Sequence, residues 1–303
     1  MSRDDIDKPR RMDSGRSVAR DGEVPRPLKP NVDVVPTKKV SDKVEPVKYS
    51  LHTGGVIAAY ILWVIVAFNA VQFLLGAIVF SLVPESFIDS ELGTMLVTAL
   101  TFFLIIVAIV VIPSRVFKFS LRGKILETVG FEQRVPRWRD IGLALGTYVA
   151  CFASAIGLVV VVQILFPNFD MAQSQSLPFE RGGYYSQYAL VWMYVTLAIV
   201  APLAEEVIFR GYLFGKIRKF LPAGLTVVIT AVVFGLMHVV GFDDSGAFRA
   251  QWNVVIGLLP LAIGLGVLRE YTGSIWASVI LHSIQNTFTF MLLFVVLPMQ
   301  GIF

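Results

Sequence analysis

Apolar residues in this chain fall into long unbroken runs, and the pattern changes character once, near Tyr49. Beyond that point the runs are long enough to cross roughly 30 Å of hydrocarbon at about 1.5 Å per helical residue. They cover residues 55–82, 93–112, 141–166, 188–209 and onward, 225–240, 253–268 and 274–297. A segment inside hydrocarbon must satisfy its own backbone polar groups, so each run is predicted to be a helix. The expected fold class is all-α: a polytopic transmembrane helical bundle of about seven spans, or eight if a re-entrant segment is hidden in the pattern.

Composition supports that class. With 55% hydrophobic and 16% charged residues and a mean hydropathy of +0.70, the chain is too apolar for a soluble domain, in which about 25% of residues are charged. Residues 1–50 differ sharply. They hold twelve Lys/Arg and nine Asp/Glu, with Pro25, Pro27, Pro30, Pro36 and Pro46 scattered among them. Such a stretch buries too little surface to offset ordering entropy, and it is read as a disordered cytoplasmic tail rather than a nucleic-acid-binding arm.

Loop charges then set the orientation. The tail, the loop carrying Arg115, Lys118, Arg122, Lys124, Arg134, Arg137 and Arg139, and the turn with Lys216, Arg218 and Lys219 are basic. The intervening loops, at 85–91, 170–181 and 243–249, are acidic or nearly free of lysine and arginine. By the positive-inside rule the N-terminus is cytoplasmic and the C-terminus external. The domain reading is a tail (1–50), N-terminal transmembrane helices (51–180) and a catalytic helical core (181–303). The one cysteine, Cys151, lies in an apolar run, has no intrachain partner and is expected to be a packing residue.

Ionisable groups inside a bilayer are costly, roughly 2.5–3.5 kcal/mol at mid-helix, so those that occur there mark function. Glu205 and Glu206 lie in the fourth run, His238 at the end of the fifth and His282 in the last. Residues four apart share a helix face, so Glu206 can pair with Arg210, while Glu205, turned by about 100°, points elsewhere and is left for chemistry. His282 and Asn286 share a face in the same way. A turn near Lys219–Gly224 joins the fourth and fifth runs, so an antiparallel hairpin brings Glu205 and His238 to one depth. Pro202 should kink the helix beside the glutamates. Gly211, Gly215, Gly235, Gly264 and Gly266 would allow close helix approach.

The order EExxxR (Glu205, Glu206, Arg210), FxxxH (Phe234, His238), HxxxN (His282, Asn286) resembles the CAAX prenyl endopeptidase and bacteriocin-processing group, also called the Abi or CPBP intramembrane protease family. The likeness covers about residues 188–297. It implies an intramembrane endopeptidase in which Glu205 and His238 activate a water and His282 with Asn286 stabilises the oxyanion, Glu206 and Arg210 giving structural support. Members of the group are widely labelled metalloproteases, and Glu205, His238 and His282 could hold a zinc, but the HExxH signature is absent. The sequence leaves a zinc enzyme and a metal-free glutamate protease both open.

The implied partners are a peptide or membrane-protein substrate and the lipid bilayer, with no nucleic acid. The implied location is a bacterial plasma membrane. Two other classes share part of this pattern. A transporter would also gather charge at mid-membrane but favours internal repeats, and none is visible here. A non-proteolytic scaffold or bacteriocin-immunity factor on the same fold would not need the motif residues, which are all present.

Overall fold

The computed structural model describes residues 51–88, 90–113, 129–131, 135–171, 186–242 and 248–299. The expected tail, and most of the basic loop that follows the second span, lie outside them. The principal helices are α1 (Leu51–Leu82), α2 (Leu92–Val111), α3 (Trp138–Leu165), α4 (Gln187–Ile217), α5 (Ala223–Leu236), α6 (Trp252–Thr272) and α7 (Trp276–Val296). All but α5 are long and apolar enough to cross a membrane. Each expected run coincides with one of these helices, the fifth only in part, so the fold is the all-α bundle that the pattern predicts, with six helices of spanning length among the described residues where about seven were expected.

Local chemistry sets where the helices begin and end. Ser90 Oγ accepts the Gly93 N–H at 3.0 Å and Ser186 Oγ the Ala189 N–H at 3.1 Å, each satisfying a first-turn donor. Pro222 stands just before α5. Gly273, at φ 71°, closes α6 in the left-handed conformation that a side chain would resist.

The sequence reading missed one element. The fifth run was expected to continue to residue 240, but α5 stops at Leu236 and a small antiparallel hairpin follows. Its strands are β1 (Val240–Phe242) and β2 (Phe248–Ala250), with Phe242 opposite Phe248. The Asp-Asp-Ser-Gly stretch between two phenylalanines is a turn signal that a long-helix reading passes over.

α5 packs along α6, α6 lies against α3 and α7, and α7 also crosses α4; α1 pairs with α2, and both contact α4. The largest apolar core joins Val64 of α1, Ile105 and Ile109 of α2, Ile208 and Leu213 of α4 and Phe234 of α5. Two of the expected glycines permit the closest approaches. A Cβ on Gly211 would collide with the Val129 carbonyl, and one on Gly264 with Cys151 Sγ of α3. Cys151 is buried there, as a packing residue should be.

α4 is not a regular helix. Two π-helical turns, Thr196–Val200 and Val207–Leu213, flank the short α-helical stretch that carries Pro202, Glu205 and Glu206. Such wide turns inside helices frequently accompany functional sites.

Candidate active site

The first π-turn and Pro202 together strip a carbonyl of its partners. The Ala201 N–H reaches back to Thr196 O, and position 202, the π-type partner of Leu197 O, is a proline with no N–H. Leu197 O is served instead from α7, where Asn286 Nδ2 donates to it at 2.8 Å. Asn286 thus binds α7 to the first π-turn of α4. Its second amide N–H remains, and the side chain lines the same cavity as the catalytic candidates.

Just beyond Pro202, Glu206 and Arg210 form the expected i, i+4 pair, Nη1 to Oε1 at 2.9 Å, with both side chains fully buried. Arg210 also donates from Nη2 to Ala262 O of α6 at 3.0 Å, and its guanidinium lies 4.4 Å over the Phe234 ring. Burial of this pair is tolerable because each charge has more than one partner. Glu206 does more than the sequence suggested: its Oε1 also accepts from His282 Nδ1 at 3.0 Å. That bond spans helices far apart in sequence, and spacing along one helix could not have found it.

His238 sits just past the end of α5, where the last carbonyls lose their helical donors. Its Nδ1 takes up one of them, donating to Phe234 O at 2.9 Å. Both imidazoles therefore have Nδ1 engaged and turn Nε2 toward Glu205. Oε2 of Glu205 lies 4.0 Å from His238 Nε2 and 3.8 Å from His282 Nε2. The same oxygen is buried with no hydrogen-bond partner among the described residues. A gap near 4 Å between polar atoms is the size a water bridges. Phe234, fully buried, packs between the groups, its ring centroid 4.7 Å from that of His238 and 5.8 Å from that of His282.

Glu205, His238, His282 and Asn286 all line one cavity of about 650 Å³. α1 and α2 also contribute to its lining.

The donor types suit zinc, but the spacing does not. Zinc ligands at 2.0–2.1 Å stand about 3.4 Å apart in a tetrahedron, closer than the separations from Glu205 to either imidazole. Among the described residues no group of three or more His, Cys, Asp or Glu is placed to hold a metal.

Residues 187–288 match the family model for type II CAAX prenyl endopeptidase Rce1-like proteins. The likeness is confined to this segment. It runs from the start of α4 through most of α7 and contains every candidate catalytic residue, while α1, α2 and α3 lie outside it. A protein of Bacillus subtilis (strain 168) named "Putative membrane peptidase YdiL" is 29% identical over 103 residues, which cover 33% of this chain and 36% of that protein. The chain therefore spans about a third of the length of this curated relative. No solved structure matches it. Six helices long and apolar enough to cross a membrane, together with this likeness, mark an integral membrane protein.

Proposed function

We propose that this chain is an intramembrane endopeptidase that hydrolyses peptide bonds of membrane-associated or lipidated peptides and proteins, by a water that Glu205 activates. The observation that carries this reading is the meeting of Glu205 with His238 and His282 around a water-sized gap, in a cavity whose catalytic candidates all come from the Rce1-like segment.

A water held between Glu205 Oε2 and His238 Nε2 gives a proton to the carboxylate as its oxygen bonds to the substrate carbonyl carbon. A positioned base of this kind is worth roughly 10²–10⁴ in rate. The oxyanion that forms needs donors. The free N–H of Asn286 is one, and His282 Nε2 is another in its imidazolium form, for which Glu206 at Nδ1 supplies the counter-charge. As the tetrahedral species collapses, the C–N bond breaks and Glu205 returns its proton to the leaving amine. Glu206, Arg210 and Phe234 hold the imidazoles in place.

We place the N-terminus in the cytoplasm of a bacterial plasma membrane, from the basic tail and basic loops.

The test is cleavage of a quenched-fluorescence decapeptide library by the purified protein in detergent, with and without EDTA. Cleavage is expected, and the spacing at Glu205 predicts no loss with EDTA. No cleavage by a folded protein would favour a non-proteolytic scaffold, and loss with EDTA would restore the metalloprotease alternative.

A further inference from the structure

Part of the lining of the cavity that holds the catalytic candidates comes from helices outside the Rce1-like segment. α2 is apolar except at Thr94, Thr98 and Thr101. These recur at helical spacing along one face, and Thr98 and Thr101 line the cavity. α1 adds Gln72 to the same lining.

The two threonines do not tie helices together. Thr98 Oγ1 donates to Thr94 O at 2.8 Å and Thr101 Oγ1 to Val97 O at 2.7 Å, both inside α2. Each hydroxyl has thereby spent its only proton and keeps acceptor capacity toward the cavity. Valine has the same shape and would sit there more favourably in an apolar helix, so packing alone does not explain these hydroxyls.

We infer that Thr98, Thr101 and Gln72 form a subsite that accepts the backbone N–H groups of an extended peptide and so selects unwound substrate segments. A helical segment has already satisfied its N–H groups internally. An extended one carries them free, and in an apolar cavity each needs an acceptor. Gln72, with both an amide donor and a carbonyl acceptor, can pair with a whole peptide unit. The inference rests on the protease reading and places substrate selection on helices that the family match does not cover.

The test compares wild type, Thr98→Val/Thr101→Val and Glu205→Gln on the quenched-fluorescence decapeptide library, and on the same library N-methylated at alternate residues. Binding of fluorescein-labelled copies is measured in parallel by anisotropy, so that the readout does not depend on cleavage. The double valine variant is expected to raise the apparent KM and Kd about five- to tenfold, as for two lost hydrogen bonds, with kcat within twofold of wild type. N-methylation should weaken wild type by a similar factor and the valine variant far less. Unchanged KM and Kd in the valine variant, or a fall confined to kcat, would overturn the inference while leaving the protease reading intact. Full cleavage by Glu205→Gln would overturn the catalytic reading, and the anisotropy comparison would still decide the subsite. A wild type that neither binds nor cleaves either library would overturn both.

Discussion

Asn286 fills, from α7, a hydrogen-bond position that Pro202 cannot supply within α4. Changing Asn286 to Ala leaves the Leu197 carbonyl unpaired in an apolar interior and should cost roughly 1–3 kcal/mol of stability. In a Pro202→Ala background, position 202 regains an N–H that can reach Leu197 O, and the same change should cost less than half as much. Thermal unfolding of the four proteins in detergent measures that coupling, and additive costs would contradict it. The buried ion pair gives a second expectation. Arg210→Leu removes the counter-charge of buried Glu206, leaving it only the His282 N–H, and should lower stability by roughly 3–5 kcal/mol, read by the same melts. The Glu206–Arg210 pair was legible in the sequence because it follows from spacing along one helix. The second duty of Glu206, at His282, and the structural duty of Asn286 were not, since they depend on which atoms of distant helices meet.

At the scale of elements, length and hydropathy located the six helices long enough to span, because crossing a bilayer imposes a run length that composition cannot disguise. Local departures from the regular helix were the hidden part. Pro202 signalled a disturbance in α4, but nothing in the sequence marks the two π-turns around the glutamates. The hairpin after α5 was obscured for a related reason: its strands are short, and the first continues an apolar run. Helix approach offers a direct test. Gly211→Ala drives a methyl into the Val129 carbonyl and should destabilise by about 1–3 kcal/mol, as overpacking does. Gly257→Ala, in the same bundle, meets nothing within 4 Å and should be neutral or stabilise slightly, since alanine is the better helix former. Equal melting shifts for the two would contradict the packing described.

For the whole molecule, the catalytic candidates all lie within residues 187–288, yet the cavity around them is completed by α1 and α2. Chemistry and selection would then reside in separate parts of the chain, and only the first left a recognisable motif. Orientation is a further expectation at this scale. The distribution of lysine and arginine predicts a cytoplasmic N-terminus and an external C-terminus. In a bacterial host, alkaline phosphatase fused at the C-terminus should be active and at the N-terminus inactive; the reverse would show that the chain is inverted.

The central claim is that the Glu205 carboxylate activates the water that cuts the peptide bond. Its most direct test is the initial rate of peptide cleavage by Glu205→Gln, compared with wild type at matched thermal unfolding. The amide keeps the size of the side chain and removes the base, so a loss of at least about a hundredfold is predicted. A well-folded Glu205→Gln protein that cleaves at the wild-type rate would remove Glu205 from the chemistry.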